Sequence, residues 1–261
     1  MPDKTGFESD FFGVLADLED YLPELTLVGG WVPYVYANFI WRNPAARPIF
    51  TSDVDWGVEP AGAQPDRRTV FEVLSALKYS ERHLEIGKME PVVLYRNNKT
   101  RLDFITSLVG PEGACAGVLG REVAVSRLKY FDFLLRHAAE VNLKRGGSEY
   151  VLRVPEPSAF VCHKCATFTD RIDRQKMAKD LYYAYFVLRY APDPDKIAAE
   201  IRGYSGEPLY AKAMANLREY FAGETSRGCT MVAQENGPDH YIDDLISDIR
   251  ARFLKIAEPA P

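Results

Sequence analysis

Apolar residues fall into two regimes along this chain. Up to about residue 154 they come in short runs broken by Gly, Pro and Asn, and beyond it they recur at three- and four-residue spacing. Phe11, Phe12, Val14, Leu15, Leu18, Tyr21 and Leu22 predict an amphipathic helix over Ser9 to Leu22, ended by Pro23. Leu25 to Val28 is too short for a helix and reads as a buried strand, broken by Gly29-Gly30. Pro33 suits the first turn of a helix running to about Ile40. Asn43 to Pro48 is a loop, Phe50 to Val58 a strand, and Pro60 to Pro65 a linker. A helix capped by Asp66 is expected through Tyr79, then a weak strand at Leu84 to Ile86. Val92 to Tyr95 and Arg101 to Ile105 flank Asn97-Asn98, a hairpin signal. Gly110 to Gly120 reads as a surface loop. Further strands are expected at Glu122 to Val125, Tyr130 to Leu135 and Tyr150 to Val154.

From Pro155 the pattern is helical: Ser158 to Phe168, Arg174 to Tyr190, Asp193 to Gly203, Pro208 to Phe221 and Tyr241 to Ile256. The fold class expected is α+β (mixed α/β), a mixed sheet with flanking helices followed by an all-helical C-terminal half. The expected domains are 1–154 and 155–261.

Composition narrows the setting. Hydrophobic content of 47% and charged content of 26% over 261 residues are those of a globular protein that can bury a full core. A net charge of −5 argues against a broad surface for duplex DNA. No apolar run approaches the roughly 20 residues of a membrane span, and Met1-Pro2-Asp3-Lys4 does not begin a signal peptide. A cytoplasmic protein with no membrane partner is expected. Its four cysteines, Cys115, Cys162, Cys165 and Cys229, are expected to be reduced.

The candidate chemistry begins at Asp53-Val54-Asp55. Side chains at i and i+2 of a strand share a face, so two carboxylates stand side by side, an arrangement that calls for cations. Asp103, on a later strand, offers a third. Magnesium takes oxygen ligands and is held by one or two carboxylates plus substrate phosphates, and a pair of ions can clamp the attacking and leaving oxygens of an in-line displacement. Two Mg²⁺ ions on Asp53, Asp55 and Asp103 are expected, with Mn²⁺ able to substitute. Gly29 and Gly30 permit close backbone approach, and the helix start after them favours an anion.

Val28-Gly29-Gly30-Trp31 followed by Thr51-Ser52-Asp53-Val54-Asp55 resembles the signature of the DNA polymerase β-type nucleotidyltransferase superfamily. His163-Lys164, then Arg171, then Lys176-Met-Ala-Lys179-Asp180, is similar to one bacterial branch, which holds minimal nucleotidyltransferases and relatives of the AbiE-type toxins. The resemblance covers roughly residues 25–105 and 155–190. It implies a transferase moving a nucleoside monophosphate from an NTP such as ATP to a hydroxyl on a protein, a tRNA or a small molecule. It implies Asp53, Asp55 and Asp103 as catalytic metal ligands, and Gly29, Gly30, Trp31, Thr51, Ser52, Lys164 and Asp180 as nucleotide-binding residues. Lys164 would touch the β- and γ-phosphates, Asp180 would position it, and the helical half would close the cleft. Two positions depart from the pattern. Ile49 stands where the superfamily often has arginine, and Ala159 where the toxin branch has glutamate.

Ile49 motivates a competing reading, a nucleotide-binding regulator or toxin-like module on the same fold. Cys162-His163-Lys164-Cys165 raises another, thiol redox chemistry, although the motif falls inside a predicted helix rather than at its start. His83, His137 and His240 have no paired ligand nearby, and Tyr182-Tyr183-Ala-Tyr185-Phe186 reads as core at helical spacing. Arg171, Arg174, Lys176 and Lys179 form a basic cluster that could hold a polyanion. The phosphate-binding Gly-x-x-x-x-Gly-Lys loop, the dinucleotide fingerprint and the Gly-x-Ser-x-Gly elbow are missing from the chain.

Overall fold

Among the described residues, eight strands carry the first part of the chain: β1 (Leu25–Val28), β2 (Asp53–Val58), β3 (Ser80–His83), β4 (Val92–Arg96), β5 (Thr100–Ser107), β6 (Val125–Leu128), β7 (Ala138–Arg145) and β8 (Ser148–Pro155). The computed structural model describes residues 4–49, 51–60, 67–84, 91–236 and 242–257. The strands form one mixed sheet of order β3-β4-β5-β2-β1-β8-β7, with β6 joined to β5. β2 and β5 are parallel, as are β5 and β6 and also β1 and β8, and the other neighbours are antiparallel. The chain divides into two compact units, Met1–Val35 with Ile49–Pro155, and Tyr36–Pro48 with Glu156–Pro261. The Tyr36–Pro48 segment thus groups with the helical part of the sequence, a division that a single cut after residue 154 does not contain.

In the sheet unit, alternation fixes what faces inward. Val54 and Trp56 of β2 and Leu102 and Phe104 of β5 are buried, while Asp53, Asp55, Arg101, Asp103 and Ile105 of the other face are half-buried. β1 is buried along its whole length, between β2 and β8. Phe11 stacks on Trp31 at 4.2 Å between ring centroids, so the N-terminal helix docks through its aromatic face. Arg96 reaches that helix with ion pairs of 3.1 Å to both Asp10 and Asp17.

Several elements differ from the sequence expectation, each for a physical reason. The first helix spans Lys4–Asp17, and Glu19–Glu24, with Pro23 inside, tightens into a 3₁₀ turn. The segment after Gly30 is a 3₁₀ turn at Gly29–Trp31, one α-turn at Val32–Val35 and a π-turn at Tyr36–Ile40. The helix expected from Asp66 is Val70–Ala76, started by a capping box between Thr69 and Glu72; Asp66 lies outside the described residues. Phe50 and residues 85–86 lie outside them too, and the strand expected near Leu84 is described at Ser80–His83.

Tyr130 to Leu135 is not a strand but the helix Phe131–Arg136. Phe131, Leu134 and Leu135, at i, i+3 and i+4, pack with Val28 against the sheet, an apolar stripe that aromatic strand propensity masked. The strand expected at Glu122 to Val125 lies at Val125–Leu128, with Val123 making a separate bridge to Val92. β7 was not expected. It is an edge strand in which Val141 and Leu143 alternate with Glu140, Asn142 and Lys144, and it pairs with β8.

The second unit holds helices Pro157–Thr167, Arg174–Tyr190, Pro194–Gly203, Pro208–Tyr220, Arg227–Glu235 and Ile242–Ala257. Three begin with proline in the first turn, and Asp173 and Asp193 cap two through 2.8 Å bonds from Gln175 N and Lys196 N. Arg227–Glu235 is a further helix beyond the sequence expectation, with Gly228 inside it. A Cβ there would meet Tyr220 O at 2.6 Å, so the glycine marks close helix packing rather than a break. Among the described residues no helix is long and apolar enough to cross a membrane.

The hairpin between β4 and β5 turns through Asn97 and Asn98, both left-handed at φ 53° and 58°. Asn98→Val should therefore lower the free energy of urea unfolding by about 1 kcal/mol, and Asn98→Gly should raise it.

Candidate functional site

The parallel register of β2 on β5 sets the site. Asp53 stands opposite Arg101, Asp55 opposite Asp103, and Gly57 opposite Ile105. On the other side of β2, Val28 of β1 pairs with Asp55 and Thr26 with Gly57. Paired residues share a face, so three rows follow one another: Asp53 with Arg101, then Val28, Asp55 and Asp103, then Thr26, Gly57 and Ile105. The helix Phe131–Arg136 closes over the third row. A Cβ on Gly57 would meet Leu135 at 2.9 Å and Phe131 at 3.1 Å, so that glycine lets the helix settle. The carboxylates occupy the first two rows, half-buried.

Gly29 has a more specific role than backbone looseness. Its φ is +70°, and a Cβ there would run into Oδ2 and Cγ of Asp55. The Asp55 carboxylate therefore lies directly against the Gly29 backbone at the exit of β1. Thr51 and Ser52 hold the start of β2. Asp53 N–H donates to Thr51 Oγ1 at 3.4 Å, and Ser52 Oγ donates to Asp53 Oδ1 at 3.1 Å. Gly30 is buried in the 3₁₀ turn. Stacking on a nucleotide is closed to Trp31: the residue is 2% exposed and its ring lies flat against Phe11, so it offers a ligand only its backbone.

Arg101 is the residue that sequence reasoning did not assign. Its Nε and Nη2 approach Asp103 Oδ1 at 2.9 and 2.8 Å. Partial burial works against its charge, but Asp103, with a smaller contribution from Asp53, holds its pKa above the usual arginine value. The signal was available, since Arg101 and Asp103 alternate onto one strand face. One guanidinium among three carboxyl groups offsets only part of their charge.

The donor chemistry fits a hard divalent cation, being carboxylate oxygen throughout. Among the described residues no group of three or more His, Cys, Asp or Glu is gathered as a ready-made metal cage.

In the helical unit, Lys164 and Asp180 form a buried ion pair, as their motif implies, and Arg171 Nε adds a second bond to Asp180 at 2.9 Å. The Lys164 ammonium lies 5.7 Å from the ring centroids of both Phe160 and Tyr183. Burial alone would raise the Asp180 pKa, but Lys164 and Arg171 outweigh it and keep the carboxylate ionised. Burial, reinforced by Lys164, lowers His163 to about 3, so it is neutral here. Cys162 and Cys165 are buried in the same helix. Burial pushes the Cys162 thiol up to about 12 and the Cys165 thiol well above its ordinary value, the opposite of a redox-active pair. Tyr182, Tyr183, Tyr185 and Phe186 are core.

Residues 14–199, more than two thirds of the chain, match the sequence profile of a nucleotidyltransferase family. A solved structure, an antigenic nucleotidyltransferase-like protein from Paracoccidioides brasiliensis, is similar at 15% identity and a TM-score of 0.44. That match covers 82% of this chain and 88% of the other. No curated protein sequence matches the chain.

Removing the counter-ion from the carboxylate rows should be visible in stability. Arg101→Gln should lower the melting temperature by about 2–4 °C at low salt. The gap should narrow in 1 M NaCl, where the screening length is about 3 Å. His163 gives a pH signature. With a folded pKa of about 3 against 6.5 unfolded, only the unfolded chain takes up its proton between those values. Its contribution is intact above pH 6.5 and is lost progressively as pH falls through that window. His163→Gln should flatten the decline between pH 6.5 and 4.5 by about 2–3 kcal/mol, read from urea midpoints of both proteins.

Proposed function

Because the chain belongs to a nucleotidyltransferase family, we propose that it transfers a nucleoside monophosphate from an NTP to an acceptor hydroxyl. The acceptor oxygen forms a bond to the α-phosphorus, the bond from that phosphorus to the β-phosphate oxygen breaks, and pyrophosphate leaves. The observation that carries this reading is the β2/β5 register, which sets Asp53, Asp55 and Asp103 on one face with the Gly29 backbone against Asp55.

Each residue has a proposed part. Asp53 and Asp55, joined by Asp103, would hold magnesium, which when bound neutralises charge on the phosphates and on the attacking oxygen. Asp103 takes up the proton of the acceptor hydroxyl. Arg101, at 2.8 Å from Asp103, keeps that carboxylate oriented. Backbone N–H groups at the turn that starts at Gly29 receive the triphosphate. For Lys164, a charge directed at the β- and γ-phosphates is proposed from its motif, and Asp180 fixes its ammonium. Protein side chains, tRNA ends and small molecules all offer the required hydroxyl.

One observation favours a second reading, a nucleotide-binding regulator: Asp103 is already engaged by Arg101. Each labelled NTP incubated with Mg²⁺ and fractions of a cell lysate separates the two. Transfer with stoichiometric pyrophosphate release supports the enzyme, and calorimetric binding without pyrophosphate release supports the regulator. In the enzyme, Asp55→Asn should reduce transfer by about 100-fold or more while leaving the circular dichroism spectrum unchanged. Undiminished transfer by that variant would overturn the mechanism.

A further inference from the structure

The helical unit contains a cleft of ≈ 340 Å³ whose walls include Trp41, Glu156, Pro192, Lys196, Ile197 and Glu200. That volume lies near the lower end of small-molecule sites, which run from about 300 to 1,000 Å³. None of its residues belongs to the carboxylate rows or to the Lys164 ion pair. We propose that this cleft binds an aliphatic ammonium group, with the Trp41 indole and the Glu156 and Glu200 carboxylates receiving the charge and Pro192 and Ile197 the carbon chain.

The backbone that delivers Trp41 is unusual. It follows the π-turn Tyr36–Ile40, and its N–H donates to Tyr36 O at 2.8 Å, closing the wide turn. Such turns gather at functional sites because the widened loop re-aims the side chain beside it. Arg42, next in the chain, has a φ of 51°, a conformation that non-glycine residues adopt only where something holds them. The Trp41 ring lies 5.2 Å from that of Tyr36 and is half-buried, so its orientation is set by packing. An indole face is the strongest aromatic acceptor of a cation.

Charge selects the ligand. The lining acids are Glu156, Asp193 and Glu200, against one ammonium, Lys196. Asp193 is committed to capping through Lys196 N at 2.8 Å. The Lys196–Glu200 pair is long, 3.8 Å, and its side chains are 71% and 41% exposed, so a ligand ammonium can displace it. Glu156 and Glu200 both line the cleft. A phosphate or carboxylate ligand would meet repulsion there.

Intrinsic fluorescence tests this directly, because Trp31 and Trp56 are 2% and 0% exposed. Cadaverine and Nα-acetyl-lysine amide are titrated into the full-length protein, with pentane-1,5-diol as the neutral isostere. Saturable quenching by either amine at millimolar concentrations, absent in Trp41→Phe and absent with the diol, is the expected result. Glu156→Gln and Glu200→Gln should each weaken it by about tenfold. A preference for cadaverine assigns the site to a free amine, and one for the lysine derivative assigns it to a side chain of another protein. No saturable change with either amine, equal quenching by the diol, or quenching that survives in Trp41→Phe would overturn the proposal.

Discussion

The structure depends on the register between two parallel strands. Like charges directly opposite one another in a sheet are unfavourable, yet β2 and β5 bring Asp55 to Asp103 and keep Asp53 one row away. What enforces this is the reverse face. Trp56 and Phe104 pair there and are almost fully buried, together with Val54 and Leu102. A slip of β5 by one residue would turn Leu102 and Phe104 to the carboxylate face and Asp103 into the core. The hydrophobic effect on one side thus holds an electrostatically costly arrangement on the other, and Arg101 relieves it locally.

The helical unit compensates a buried carboxylate with cations. Asp180 lies between two cations, Lys164 and Arg171, and a fully desolvated carboxylate is tolerable only with such partners. Burial keeps His163, one residue from Lys164, uncharged, and the Lys164 charge reinforces it. A single motif in the Pro157–Thr167 helix therefore couples ion pairing to the protonation of its neighbour.

Much of this was legible where one periodicity dominated. The Asp53-x-Asp55 alternation, the Asn97-Asn98 turn and the long helices Arg174–Tyr190 and Pro208–Tyr220 each carry one clear pattern. Legibility failed where two signals competed. Phe131 to Leu135 combines strand-forming aromatics with helical spacing, and contact with the sheet decided for the helix. β7 offers only Val141 and Leu143 between charged and polar residues, an alternation too short to stand out before it pairs with β8. The three carboxylates could be named from their strands. That Arg101 binds one of them required the register, a long-range fact that no local window contains.

Gly29 and Asp55 are far apart in sequence but occupy one volume. The carboxylate of one stands where a side chain on the other would begin. In evolutionary terms the two positions form a single unit of variation. Any side chain at residue 29 first requires a smaller one at residue 55, and restoring the acid alone then meets a blocked site. A lineage that loses this aspartate can fill the glycine position with a residue that tolerates the left-handed backbone there. Once it has done so, the route back is closed to single substitutions, and loss of the site becomes a ratchet.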